Sequence, residues 1–192
     1  MPMPRVTNAR AGRRSSSAAG LLFPLDLLYE HAGVPPPKVV RIAPDKIPPP
    51  YRSLLVHEDS MTATLEHHFG GPLGLRTLST RMSAAGYFRR VLLVRADTGH
   101  PVAMGAARVT LGAFPPRVRA RILDNDVPLG RLLHGEGIDY VSRPQAFLAV
   151  TPNAEMMGVF WMRRPQTLFG RRTDMIHRGN QIGDIVEILR LV

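Results

Sequence analysis

The chain of 192 residues contains no cysteine. This excludes a disulfide framework, a thiolate nucleophile and every zinc site built on Cys, and it fits a cytoplasmic protein. No apolar run approaches the roughly 18 to 20 residues of a membrane-spanning helix, so no membrane association is expected. Aromatic residues are scarce at 6%, which leaves few side chains able to stack on nucleic-acid bases. Acidic residues are also few, 15 against 25 basic, giving a net charge of +10. Nearly all the basic residues are arginine, whose planar fork matches oxyanions, so an anionic partner is favoured: nucleic acid, an acidic membrane surface or a small dicarboxylate.

Several sequence motifs are missing as well. The chain has no Walker A loop, no H-E-x-x-H and no G-x-S-x-G elbow, and the glycines near Gly70 do not follow a strand with dinucleotide-binding spacing. Adjacent His67 and His68 diverge by about 100° on a helix and have no carboxylate cluster beside them, so no metal is expected. The nearest approach to a nucleic-acid patch is Arg163-Arg164 with Arg171-Arg172 around Phe169. The arginines are otherwise scattered, and a nucleic-acid partner is not expected.

Residues 1–20 are rich in Arg and Ser and carry no acid, the composition of a disordered extension or of a transit peptide. Residues 21–50 read as a proline-rich arm along the domain surface, with a short helix from Pro24 to Gly33 and an extended piece from Lys38 to Ala43. Residues 51–192 read as the main domain. Tyr51 to His57 is predicted helical, and Asp59 or Ser60 can cap a helix from Met61 to His68 that ends at Gly70-Gly71.

From Leu73 the period shortens. Leu73–Ser83, Tyr87–Ala96 and Val102–Leu111 have strand character, and Asp97-Thr98-Gly99 makes a hairpin turn. Pro115-Pro116 opens a helix to about Asn125 with Val118, Ile122 and Leu123 as its buried stripe, and Pro128–Leu133 gives another short helix. The segments Ile138–Val150 and Asn153–Arg163 fit either type. Thr167–His177 and Gln181–Val192 read as strands joined at Arg178-Gly179-Asn180. Separate helix and strand blocks with short links predict a single α+β domain, an antiparallel β-sheet with flanking helices.

Four phrases resemble, in order, those of the chorismate pyruvate-lyase family, which converts chorismate into 4-hydroxybenzoate and pyruvate. They are Leu55-Val56-His57-Glu58-Asp59-Ser60-Met61-Thr62, Tyr87-Phe88-Arg89-Arg90-Val91-Leu92-Leu93, Pro128-Leu129-Gly130-Arg131-Leu132-Leu133, and Gly170-Arg171-Arg172 followed by a turn and Ile185-Val186-Glu187-Ile188-Leu189. The likeness covers roughly residues 50–190. It implies a chorismate lyase-like fold and a cofactor-free monomer acting on a small dicarboxylate, as in ubiquinone biosynthesis. By the same resemblance Arg89 binds a substrate carboxylate and Glu187 meets the ring hydroxyl. Met61 lines the pocket, and the Leu129 amide bonds the ring carboxylate. Position 90 carries a second Arg where well-known members carry an acid.

The residues themselves admit other readings. Arg89 could be a solvated strand residue, Met61 a core methionine and Leu129 a helix anchor. Glu187 stands in an apolar strand, where an unpaired carboxylate is costly, so an ion pair with an arginine of the neighbouring strand is its alternative role. At the level of function the alternatives are a non-catalytic domain sensing an aromatic carboxylate and a basic nucleic-acid-binding protein.

Overall fold

A computed structural model describes residues 20–191. The expected extension at residues 1–20 lies, apart from Gly20, outside the described residues. Strands β1 (Lys38–Ile42), β2 (Leu73–Ser83), β3 (Gly86–Arg95), β4 (Pro101–Val109), β5 (Val141–Thr151), β6 (Leu168–His177) and β7 (Asn180–Leu189) form one sheet in the order β1-β5-β6-β7-β4-β3-β2. Every neighbouring pair is antiparallel. Helices α1 (Leu25–His31), α2 (Tyr51–Leu55), α3 (Met61–Phe69), α4 (Pro116–Asp124), α5 (Leu129–Gly135) and α6 (Ala154–Val159) flank it. The fold is therefore α+β, one domain around an antiparallel sheet.

Alternation along the central strands sends side chains to two faces. On one face Phe88, Leu92, Met104, Ala106, Val186 and Ile188 pack against α1 and α6. On the other, two further clusters form. Tyr87, Ala107 and Val109 pack with α4 and α5, while Leu93, Ala103 and Leu189 pack with α2 and α3. The helix pairs on this second face leave a gap above the middle of β3, β4 and β7, and that gap becomes the site.

Several local expectations are revised. The first half of the 21–50 segment is built into the core: Leu25, Leu28 and Tyr29 form a buried stripe on α1, and the Tyr29 hydroxyl donates to Glu155 Oε2 at 2.9 Å. Its second half is extended, and β1 pairs with β5 at the sheet edge. Proline flanks these elements without entering their hydrogen-bonded interiors. Ser60 occupies the N-cap position of α3, yet its side chain makes no capping bond. Its hydroxyl instead lies too close to Gly130 for a Cβ to fit there, so the starts of α3 and α5 meet closely. Leu123 is exposed, whereas Val118 and Ile122 are buried, because position 123 lies about 100° round the helix from Ile122. The two undecided segments resolve into strand β5 and helix α6.

The arginine patch around Phe169 does not form, because Arg171 is completely buried. Among the described residues no helix is long and apolar enough to cross a membrane, and no group of three or more His, Asp or Glu side chains could hold a metal ion.

The contrast between stripe and surface is measurable. Leu148, fully buried on β5, should cost about 2 to 5 kcal/mol of unfolding free energy when changed to Ala, whereas Leu123→Ala should stay within about 0.5 kcal/mol. Chemical denaturation of the two variants checks the assignment, and equal losses would contradict it.

Candidate functional site

Strand register places the two charged candidates. Arg89 on β3 lies opposite Ala107 of β4, and Glu187 on β7 lies opposite Gly105 of β4. Residues 105 and 107 share a face, so Arg89 and Glu187 do too, with one strand between them. Strand spacings of about 4.8 Å and a rise of about 3.3 Å per residue put their backbones about 12 Å apart. Arg90 points through the opposite face, where Nη1 is 3.0 Å from Glu155 Oε1 and the guanidinium stands 4.8 Å from the Tyr29 ring centre. The second arginine at position 90 thus has its own acid, away from Arg89.

Arg89, Glu187, Met61 and Leu129 all line one cavity of about 50 Å³. Met61 enters from the first turn of α3 and Leu129 from the first turn of α5. The Leu129 amide, at the first helical position, has no acceptor within its own helix. The floor is β4, where Ala103, Gly105 and Ala107 present little or no side chain. At Gly105 a Cβ would meet only Val91 Cγ2, at 3.5 Å, so the bare position contributes to the open space. Leu75, Val91, Leu93 and Ile185 complete an apolar middle.

The two ends differ in charge. At one end Arg89 is 2% exposed, and its guanidinium donates from Nη1 to Asn125 Oδ1 at 3.3 Å. Burial pulls it below the ordinary arginine value, with Tyr87 acting weakly against that. It remains a cation near neutral pH, because arginine begins far above that range. At the other end Glu187 is paired with Arg171, Nε to Oε2 at 2.8 Å. Ser60, Tyr140 and Ser142 line the same end. Burial pushes the Tyr140 phenol above its usual range, opposed by its hydrogen bond with Ser60. A second chamber of about 280 Å³ lies alongside and shares Ser60, Thr62, Gly130 and Tyr140 with the first.

Arg171, Asn125, Tyr140 and Ser142 escape a reading of the sequence as site residues. Arg171 carries one signal, its place in the Gly170-Arg171-Arg172 phrase. Asn125 looks like an ordinary helix terminus, and Tyr140 and Ser142 fall in the undecided stretch before β5.

The turn between α2 and α3 is held from below. Arg171 donates through Nη1 to the carbonyls of Leu55 and His57, at 3.3 and 2.8 Å, and through Nη2 to that of Asp59 at 3.2 Å. His57 Nε2 bonds the Leu54 carbonyl at 2.8 Å, while Nδ1 accepts from the Asp59 amide at 3.1 Å. The ring is therefore neutral with its proton on Nε2. Burial pulls the imidazole below its ordinary value, and Arg171 lowers it further; the Leu54 hydrogen bond, Asp59 and Glu187 act in the other direction.

A group that binds protons less readily folded than unfolded loses stability as pH falls. The loss sets in near the unfolded histidine value of about 6.5 and continues down to the folded value. Thermal unfolding between about pH 8 and pH 5 should show a steeper decline for the wild type than for His57→Gln. Parallel curves would remove His57 from this role.

No protein-family model matches the chain, and no curated protein matches it. Among solved structures, the crystal structure of PhnF from Mycobacterium smegmatis is similar at 14% sequence identity with a TM-score of 0.49. The matched region covers 71% of this chain and 65% of that one, so this chain spans about two thirds of the other's length.

Proposed function

We propose that the cavity binds a small ring carboxylate and that the chain acts on chorismate, releasing pyruvate and leaving 4-hydroxybenzoate. The observation that carries this reading is the cavity's polarity. A buried cation with a neutral partner stands at one end, an ion-paired carboxylate with hydroxyl groups at the other, and an apolar floor lies between. A flat ring with a carboxylate on one side and a hydroxyl on the other matches that order. The resemblance to chorismate pyruvate-lyase supports the same reading, since the four residues it implies come from four separate elements and line one space.

The reaction is redox-neutral. The ring carbon bearing the hydroxyl loses its proton, and that electron pair joins the aromatic ring as the C–O bond to the enolpyruvyl group breaks. The departing enolate takes up the equivalent of that proton and becomes pyruvate, so no net acid or base is consumed. Arg89 holds the ring carboxylate through hydrogen bonds from its guanidinium. Glu187 accepts from the ring hydroxyl and so fixes the position of the carbon whose C–H is lost. The Leu129 amide adds a donor to the carboxylate. The neighbouring chamber, which shares Ser60, Thr62, Gly130 and Tyr140 with the first, offers further space for the enolpyruvyl group.

A non-catalytic sensor of an aromatic carboxylate is the second reading. The Arg171–Glu187 pair favours it, because the guanidinium already engages one carboxylate oxygen and leaves the other to accept from a ligand hydroxyl.

Incubation of the purified protein with chorismate, followed by detection of 4-hydroxybenzoate and pyruvate, separates the two. Turnover is expected, lowered by about tenfold or more in Arg89→Ala and in Glu187→Gln. Absence of turnover together with tight binding of 4-hydroxybenzoate would establish the sensor instead. Gly105→Val provides an independent check on where the ligand sits. Its backbone accepts a side chain, so the variant should fold while binding falls by about tenfold or more, the new methyls filling the floor. Unchanged binding would place the ligand elsewhere.

A further inference from the structure

Arg89 is a buried cation whose surroundings contain an amide where an acid would be expected. The one hydrogen bond of its guanidinium among the described residues runs from Nη1 to Asn125 Oδ1 at 3.3 Å, and no carboxylate lies within ion-pair distance of it. The other arginines reaching into this sheet's interior, Arg90 and Arg171, each have a glutamate. An unpaired buried charge is expensive, so its persistence calls for a cause.

Asn125 occupies a fixed place. It follows α4 in the left-handed region, with φ 54° and ψ 34°, a conformation that asparagine tolerates better than most residues. Its Nδ2 donates to the Tyr87 hydroxyl at 2.5 Å and to the Leu123 carbonyl at 2.7 Å. Both amide hydrogens are thereby used on one side, and Oδ1 is turned to Arg89. Tyr87 and Arg89 lie two residues apart on the same face of β3, so a single amide bridges both to the end of α4.

We infer that Asn125 is a positioning residue for anion binding: it orients the Arg89 guanidinium with a neutral dipole and so leaves the full charge to a carboxylate ligand. An aspartate, nearly identical in shape, would neutralise the charge while giving up the bond donated to the Leu123 carbonyl, its second oxygen accepting instead from the Tyr87 hydroxyl. Selectivity for a carboxylate over a neutral ring of equal size then rests on a residue that does not line the cavity. This rests on the reading that the ligand's carboxylate meets Arg89.

The test compares Asn125→Asp and Asn125→Gly with wild type, by calorimetry, using 4-hydroxybenzoate and the neutral isostere 4-hydroxybenzamide. Wild type should prefer the carboxylate by about tenfold or more, and Asn125→Asp should weaken the carboxylate by about tenfold or more while changing the amide by less than about threefold. Asn125→Gly keeps the left-handed backbone and should retain the carboxylate preference with affinity lower by about threefold to tenfold. Equal losses of both ligands in Asn125→Asp, or an intact carboxylate preference, would overturn the assignment. Should wild type bind neither compound, the ring-carboxylate reading fails by itself, and ligand-free thermal unfolding still judges Asn125. An aspartate held down by Arg89 adds stability that is present at neutral pH and fades as pH falls below about 4. The stability of Asn125→Asp relative to wild type should therefore fall as pH is lowered from neutral through about 4; a difference that does not change with pH rejects the inference.

Discussion

Arg171 is the interaction on which the rest of the structure depends. It is the largest of the fully buried side chains among the described residues, and taking its charge out of water is affordable only because every nitrogen of the guanidinium has a partner. Nε meets Glu187 on the adjacent strand, and the terminal nitrogens meet three backbone carbonyls between Leu55 and Asp59. One side chain thus joins β6, β7 and the turn from α2 to α3. That turn delivers Ser60 and Met61 to the cavity wall, and Glu187 supplies its acidic end. The shape and the charge of the site come from the same hydrogen-bonded group.

Much of the sheet is legible in the amino-acid order. β2, β3 and β4 carry alternating or β-branched apolar residues and are separated by short turns, and β6 and β7 flank Gly179, whose φ of 77° suits the link. β5 hides its alternation because pairing with β6 shifts register between Pro144 and Ala146, which moves later side chains relative to the earlier ones. Helix α6 spans only six residues, too few to display a period, and is fixed by the Asn153 side chain accepting from the Met156 amide at 2.8 Å. The burial of Tyr29 against Glu155 depends on residues 126 apart, which no local pattern contains.

The site shows a similar division. Glu187 stands out because a carboxylate among Ile185, Val186, Ile188 and Leu189 needs a partner, and an arginine of the neighbouring strand proves to be that partner. Which arginine does so is invisible beforehand, since Arg171 and Arg172 are adjacent and alike; only the direction of the pleat buries the first. The same pleat distinguishes Arg89 from Arg90. Asn125 gives no sign in sequence, because its role exists only once the end of α4 is folded over β3.

The position of β7 has a kinetic consequence. It lies between β6 and β4, joining the β2-β3-β4 meander to the β1-β5-β6 group. Its partners on β4 are remote in the chain, from Val109 with Gly183 to Ala103 with Leu189. Closing such long loops is entropically costly, so pairing β7 with β4 is a demanding step of assembly. Arg89 and Glu187 stand on opposite sides of that seam. A ligand touching both acts as a clasp across the seam, adding its binding free energy to the closed form and withholding it from any state in which β7 has separated from β4. Amide hydrogens along β4 and β7 would then be slowed on occupation by more than those of the edge strands β1 and β2.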